Sequence, residues 1–172
     1  MLGTLIVGGA GTLAQENLGP AEMLDRLNRH LYGRTDGGFA TCLCALLAAD
    51  GMLSLANAGH LSPYRNGCEL ACEPGLPLGI LPEANYVQTC TQLDPGDTLT
   101  FMSDGVVEAR NAQGELFGFD RAQAISAEAA QKIAEQAAAF GQEDDITVLT
   151  LTRLAAGEES RTEVVTPLLA PA

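Results

Sequence analysis

The sequence predicts an α+β domain built in layers, with a mostly antiparallel sheet. Three observations carry this prediction: a helical pattern near the start, a run of strand patterns separated by turns, and an alanine-rich helix followed by a further strand. The 172 residues suit a single domain, and their 47% hydrophobic content is sufficient for a sizeable core. We expect the domain to span residues 1–154 and a mobile tail to follow over 155–172, where two prolines occur without a periodic pattern.

Two helices are predicted from spacing and end signals. The first begins at Pro20, since proline suits the first helical turn, and apolar residues recur at helical spacing over 23–31. Gly33 provides a stop signal for this helix. Ser126 is expected to cap the second, alanine-rich helix, which runs to about Phe140.

The strands are predicted from apolar runs bounded by turn residues. Residues 39–48 are apolar on both alternating faces, as in a strand buried between two layers, and Cys42 and Cys44 within it are expected to be small core residues. The turn at residues 50–51 joins this strand to a partner over 52–58. Glycine and proline crowd residues 74–82, which indicates a shaped loop. Further strands are expected at 86–93, 98–103 and 146–152, the last of these ending the sheet.

Composition excludes several classes of partner. Lys and Arg number 9 against 22 Asp and Glu, a formal net charge of -13. Proteins that bind nucleic acids or anionic membranes carry basic patches, so we expect no nucleic acid and no membrane contact by this chain. No Lys or Arg precedes Arg26, so the charged start of a signal peptide is missing. The five cysteines lack a CxxC pair, which favours reduced thiols in a cytoplasmic protein.

Three carboxylates lie where predicted strands end or begin. Asp104 follows one strand, and Asp144 and Asp145 precede another. If these strands are antiparallel neighbours, the carboxylates converge at one edge of the sheet and require a positive counter-charge, because like charges raise each other's pKa. Arg110 is the one basic residue near them in sequence, so a hard divalent cation such as Mg²⁺ or Mn²⁺ is the natural partner. Gly105 would let backbone and metal approach closely.

Each of these signals alone has a plainer explanation. An isolated Asp-Gly pair is more often a turn, and the joint pattern is what favours a metal site. His60 is expected to make a structural hydrogen bond in a tight turn. Residues 9–14 fit a dinucleotide-binding G-x-G-x-x-A pattern, but Pro20 begins a helix where that fold needs a strand, so a helix face of small residues is favoured. Glu108 and Arg110 could reach the rim of the site and touch substrate.

Four segments occur in an order that resembles one protein family. They are NAGH at 57–60, GLPLGIL at 75–81, LDPGDTLTFMSDGVVEARNAQGELFG at 93–118 and QEDDITVLTL at 142–151. Over residues 20–153 the chain resembles the SpoIIE-like branch of the metal-dependent protein phosphatases, the phosphatase 2C superfamily. The resemblance implies a phosphatase 2C-like α-β-β-α sandwich with two Mn²⁺ or Mg²⁺ ions at one end, where a water or hydroxide attacks phosphoserine or phosphothreonine.

The resemblance also implies roles for individual residues. Asp104 matches a metal-ligand aspartate, and Asp144 matches the aspartate that opens the family's D-[DN]-I-T pattern. Asp145 lies at the variable second place of that pattern, and the roles of these two aspartates stay exchangeable. Gly105 is a structural residue of the site, and no catalytic residue is implied beyond the metal ligands. The implied substrate is a phosphorylated regulatory protein, such as an anti-sigma-factor antagonist.

One element of the family pattern is missing from the sequence. Relatives carry a D-x-S-G-x-G-like turn whose aspartate bridges both metals, and no such turn occurs in these 172 residues. We therefore expect a domain truncated at its N-terminus that is inactive or weak, with exposed sheet edges that favour a homodimer. The alternative is a non-catalytic interaction module that retains the phosphatase fold.

Overall fold

Helices and strands are distributed over residues 18–34, 37–155 and 162–168, which the structure, a computed structural model, describes. The helices there are α1 (Pro20–Leu31), α2 (Asp104–Val107), α3 (Gly118–Ile125) and α4 (Ala130–Gly141). The strands are β1 (Cys42–Leu47), β2 (Met52–Ala58), β3 (Tyr64–Arg65), β4 (Cys68–Glu69), β5 (Thr89–Gln92), β6 (Thr98–Met102), β7 (Ile146–Thr152) and β8 (Thr162–Leu168). The described residues divide into two compact units: those up to residue 60 together with residues 72–93 form the first, and residues 61–71 together with those from residue 94 onward form the second.

The first unit packs α1 on an antiparallel sheet with the order β1-β2-β5. The predicted start of α1 at Pro20 is confirmed, and the apolar face of α1 is buried. Together α1 and β2 supply most of one core cluster, whose buried members are Leu24, Leu27, Leu31, Ala56, Ala58, Leu78 and Tyr86. The predicted hairpin is also confirmed, since β1 and β2 pair antiparallel with Leu47 opposite Leu53.

Strand β1 is less buried than the sequence predicts. Its side chains are half-buried or exposed, with Leu46 at 53% exposure. Among the strands that the structure describes, β1 pairs with β2 alone and forms an edge of its sheet, so one flank lacks a neighbouring strand. Cys42 and Cys44 do pack beside the α1 cluster, where the Cys44 Sγ lies 3.5 Å from the Met23 Sδ. Burial raises the pKa of the Cys42 thiol to about 11, and the nearby Cys44 thiol adds to the shift.

The loop over residues 74–82 is held in shape by a buried asparagine of α1. The Asn28 amide nitrogen donates to the Leu81 carbonyl at 2.7 Å, and the Gly79 N–H donates to the Asn28 Oδ1 at 2.8 Å. Asn28 is 1% exposed, so neither loop group has water as a ready substitute partner. The prediction of a shaped loop is confirmed.

The second unit contains a sheet with the order β4-β3-β6-β7-β8. Strands β6 and β7 are antiparallel neighbours, with Met102 opposite Val148, which meets the condition for the three carboxylates to lie near one another. Helix α4 covers this sheet and buries Ile133, Ala134 and Ala137 in a cluster with β6, α2 and β7. In the ranges described, no helix is long and apolar enough to cross a bilayer.

The helices around this sheet differ from the prediction in two ways. The sequence predicts neither α2 nor α3, because α2 is a single turn and α3 fully buries only Ala122. Ser126 was expected to cap α4, and this is wrong, since it ends α3 with its hydroxyl donating to the Gln123 carbonyl at 2.8 Å. Its own carbonyl accepts a hydrogen bond from the Thr100 hydroxyl, and α4 begins only at Ala130.

Strand β7 is not the last strand of the sheet, contrary to the prediction. Residues 162–168 form β8, which pairs antiparallel with β7, with Leu151 opposite Thr162. Part of the expected tail thus forms a strand. The sequence does not predict this strand, because apolar and polar residues do not alternate clearly in the segment. The domain boundary after residue 154 stays a prediction.

A carboxylate network fixes the turn that leads into β6. The Asp97 carboxylate accepts hydrogen bonds from the Asn66 amide at 2.6 Å and from the Asp94 N–H at 2.7 Å, and it also pairs with the Arg65 guanidinium. The Asn66 Oδ1 in turn accepts from the Thr98 N–H at 2.9 Å. These contacts, led by the Asn66 hydrogen bond, lower the pKa of Asp97.

The Asp97 network makes stability depend on pH in a defined direction. Because the pKa of Asp97 is lower in the folded chain than in the unfolded chain, its contribution is present above about pH 4 and is lost as the pH falls through the folded pKa. We expect Asp97→Asn to lower the urea midpoint at pH 7 and to lower it less at pH 3. An equal loss at both pH values would contradict this assignment.

Candidate metal centre

The end of β6 and the start of β7 are tied together by Ser103. The Ser103 N–H donates to the Thr147 carbonyl and the Thr147 N–H donates to the Ser103 Oγ, both at 2.9 Å. The Ser103 hydroxyl lies 3.2 Å from the Asp145 carbonyl, to which it donates. The antiparallel register therefore brings the chain after β6 against the chain before β7, as expected if the two strands are neighbours.

The three predicted ligands lie on these two segments. Asp104 begins α2, and its Oδ1 accepts from the Gly105 N–H at 3.1 Å. The Asp144 Oδ1 accepts from the Asp145 N–H at 2.7 Å, and the Gln142 amide donates to the Asp144 carbonyl at 3.0 Å. Asp104, Asp144 and Asp145 are all exposed, so a dissolved cation can reach their carboxylates without unfolding the domain.

Gly105 makes the close approach of the two segments possible. A Cβ at this buried position would lie 3.0 Å from the Asp145 carbonyl carbon and closer still to its oxygen. The sequence predicts that a glycine is needed here to let a metal approach the backbone. The structure shows a second reason for glycine, because the Asp145 backbone occupies the space that a side chain would fill. The role of Gly105 beside a metal stays a prediction.

The donor set fits a hard cation in part. Carboxylate oxygens are the ligands that Mg²⁺ and Mn²⁺ prefer. Three carboxylates lie on the adjoining segments that follow β6 and precede β7. Within residues 18–34, 37–155 and 162–168, however, no group of three His, Cys, Asp or Glu side chains is already arranged around a common point. Asp104, Asp144 and Asp145 can thus supply part of a coordination sphere, and their role as metal ligands stays a prediction.

Arg110 connects the loop after α2 to the acidic segment. Its N–H donates to the Gly141 carbonyl at 2.7 Å, and its Nη1 donates to the Gly114 carbonyl at 2.9 Å. The Arg110 Nε lies 3.4 Å from the Oε2 of Glu143, the residue that directly precedes Asp144. Sequence reasoning identified Arg110 as the nearby basic residue but missed Glu143, because nothing in the acidic run distinguishes one carboxylate as its partner.

The other sequence candidates have structural roles or lie outside the described residues. The Asn57 amide donates to the His60 carbonyl at 2.9 Å, and the His60 N–H donates to the Asn57 Oδ1 at 2.8 Å. This agrees with the expected structural hydrogen bond in the NAGH turn, although the backbone of His60 makes it. Residues 9–14, with the G-x-G-x-x-A pattern, are not among the residues that the structure describes.

Comparison with known proteins gives one family match and several structural matches. Residues 1–154 match the family described as stage II sporulation protein E (SpoIIE). No curated protein matches the chain by sequence. The RsbU and RsbW domains of a Mycobacterium tuberculosis protein align with a TM-score of 0.67 at 21% identity, covering 87% of this chain and 46% of that one. The chain thus spans about half the length of that relative.

Two further solved structures share the fold. The SiaA-PP2C domain of Pseudomonas aeruginosa aligns with a TM-score of 0.65 at 22% identity, over 88% of this chain and 68% of that one. The Mn-presoaked phosphatase domain of the Bacillus subtilis cell fate determinant SpoIIE aligns with a TM-score of 0.57 at 16% identity, over 90% and 76%. The predicted fold class, an α+β phosphatase 2C-like domain with mostly antiparallel sheets, is confirmed.

Proposed function

Because the chain belongs to the SpoIIE family, we propose that it is a metal-dependent protein serine/threonine phosphatase domain of the PPM type. The observation that supports this most directly is the β6–β7 register, which sets Asp104 beside the segment that carries Asp144 and Asp145. A metal-dependent phosphatase needs oxygen ligands close to one another at a site that its substrate can reach.

Residues 103–105, which follow β6, and residues 144–145, which precede β7, form what we call the β6–β7 edge. In this proposal some of these residues bind metal and others fix the distance between the two segments. Asp104 and Asp144 would hold the ions, with Asp145 beside them, while Ser103 and Gly105 fix the spacing of the two segments. Bound Mn²⁺ or Mg²⁺ supplies an activated water and neutralises charge on the phosphoryl oxygens. The family's D-x-S-G-x-G turn does not occur in these 172 residues, so we propose that they alone bind the ions weakly and hydrolyse phosphoesters slowly.

The proposed substrate is a phosphoserine or phosphothreonine on a regulatory protein in the cytoplasm. The solved relative from Bacillus subtilis is described as a cell fate determinant, which supports a regulatory target. An anti-sigma-factor antagonist is the specific candidate. The net charge of -13 supports a protein partner over a nucleic acid or an anionic membrane.

A second candidate function is a non-catalytic interaction module with the same fold. It is favoured by the fact that the described ranges contain no ready group of three metal-binding side chains. Such a module could associate through its sheet edges, as in the homodimer that the sequence predicts. The two candidates differ in activity, since only the phosphatase must release phosphate from its substrate, and for that its carboxylates must bind metal.

A calorimetric Mn²⁺ titration tests the metal site. We expect the wild-type chain to bind Mn²⁺, and Asp104→Asn and Asp144→Asn each to weaken binding by about tenfold or more, as loss of site residues does elsewhere. Asp120→Asn is the matched control, because Asp120 is also exposed and lies in the first turn of α3 in the same unit. A wild-type chain that does not bind Mn²⁺, or a control that weakens binding equally, would overturn the proposed site.

Release of phosphate from a phosphoserine peptide separates the two candidates. A phosphatase releases phosphate only when Mn²⁺ or Mg²⁺ is present, and Asp104→Asn removes that release. Metal binding without any hydrolysis, together with binding of the peptide, would instead support the interaction module.

A further inference from the structure

We propose that Arg110 contacts the phosphoryl group of the substrate, and that the Glu143 carboxylate takes the place of that anion when no substrate is bound. This inference rests on the proposed function, because it needs a phosphorylated substrate at the β6–β7 edge. It assigns a substrate-binding side chain in addition to the carboxylates that would hold metal.

The contacts of Arg110 separate a fixed backbone from an exchangeable side chain. The backbone is fixed by its hydrogen bond to the Gly141 carbonyl at 2.7 Å and by close packing, since a Cβ on Gly141 would lie 2.8 Å from the Arg110 carbonyl carbon. The guanidinium has one firm partner, the Gly114 carbonyl at 2.9 Å from Nη1, and one looser partner. Its Nε lies 3.4 Å from the Glu143 Oε2, which is long for a charged hydrogen bond.

Exposure makes the Arg110–Glu143 pair easy to exchange. The two side chains are 43% and 63% exposed, and an exposed ion pair contributes little because water and salt screen it. A phosphate offers a guanidinium more charge and more acceptor oxygens than a carboxylate does. An incoming phosphoryl group can therefore displace Glu143 from Arg110 without disturbing the fold.

The location of Arg110 matches the charge that a substrate would meet. A phosphoryl dianion at the β6–β7 edge approaches Asp104, Asp144 and Asp145, so a cationic side chain there reduces the repulsion. Arg110 pairs with the residue next to Asp144. Other cationic side chains of the second unit pair with carboxylates elsewhere: Arg65 with Asp97, Arg121 with Glu115, and Lys132 with Glu128.

Substitutions of Arg110 and of Glu143 are expected to change anion binding in opposite directions. We expect Arg110→Ala to weaken binding of inorganic phosphate by about fivefold or more, because it removes a charged donor. Arg110→Lys keeps a point charge but loses the planar pair of donors, so it should recover only part of the affinity. Glu143→Gln should strengthen phosphate binding by about two- to fivefold, because it removes the competing carboxylate.

A double variant and a matched pair isolate the mechanism. If Glu143→Gln acts by releasing Arg110, its gain disappears in the Arg110→Ala background. Arg121→Ala and Glu115→Gln are the controls, since this pair lies in the same unit at 2.5 Å and is similarly exposed, at 46% and 56%. Both controls should bind phosphate as the wild type does.

The experiment is a calorimetric titration of the whole chain with inorganic phosphate, with and without Mn²⁺. Opposite shifts for Arg110→Ala and Glu143→Gln, in either condition, support the inference. Unchanged affinity in Arg110→Ala, a Glu143→Gln gain that persists in the double variant, or no phosphate binding by the wild type would each overturn it. The Mn²⁺ titration tests the proposed function separately. If the chain binds Mn²⁺ but Arg110→Ala leaves its phosphate affinity unchanged, this inference alone is overturned.

Discussion

Gly105→Ala is expected to lower the free energy of unfolding by about 3 kcal/mol, at the upper end of overpacking effects. The added Cβ meets the carbonyl of Asp145, which is backbone and cannot turn away as a side chain could. Either α2, which begins with Asp104, or the segment before β7, which contains Asp144 and Asp145, must shift. We therefore also expect weaker Mn²⁺ binding, measured by calorimetry beside urea denaturation.

Gly19→Ala is the control for this substitution. Gly19 has an extended backbone, with φ -70° and ψ 159°, which alanine adopts readily. Its added Cβ would lie 2.9 Å from the Gln88 Oε1, the far end of a flexible side chain that can move aside. A loss of stability in Gly19→Ala equal to that in Gly105→Ala would show that the Asp145 contact is not the cause.

Asn28→Ala is expected to lower the free energy of unfolding by about 2–4 kcal/mol. The substitution leaves the Gly79 N–H and the Leu81 carbonyl without their side-chain partner, and it opens a cavity at a position that is 1% exposed. Urea denaturation measures the loss, and hydrogen exchange should show faster exchange of the Gly79 amide.

Asn111→Ala provides a comparison at a half-buried residue whose hydrogen bonds are exposed to water. The Asn111 Oδ1 also accepts hydrogen bonds from backbone amides, those of Gln113 at 3.0 Å and Glu115 at 2.9 Å. Water can replace this partner, so a loss of only about 1 kcal/mol is expected. If both variants lose the same stability, burial does not explain the effect of Asn28.

Much of the fold could be predicted because its main elements have strong local signals. Helix α1 combines Pro20 with an apolar stripe, and β6 and β7 are apolar runs that end in turn residues. Helices α2 and α3 escaped prediction because a single turn and a helix with one fully buried residue leave almost no periodic signal. Ser126 misled the prediction because a serine before alanines resembles a cap, whereas Thr100 on β6 holds its carbonyl.

The candidate site was predictable in outline and not in detail. The strand pattern locates β6 and β7, and if they pair antiparallel, as the structure shows they do, the end of β6 that precedes Asp104 lies beside the segment that carries Asp144. The double tie of Ser103 to Thr147 and the ion pair of Arg110 with Glu143 depend on distances that sequence spacing does not contain. The arrangement of the carboxylates around metal stays a prediction.

The exposure of the three aspartates has an evolutionary consequence. None of Asp104, Asp144 and Asp145 contributes to a core cluster, whereas Gly105 and Ile146 beside them are buried. Substitutions of the acids can therefore accumulate in a lineage without unfolding its members, while substitutions of Gly105 are removed by selection for folding. Under the proposed function, a descendant that has lost its chemistry would keep the glycine and change the aspartates, so the acids, and not the glycine, would distinguish active from inactive members.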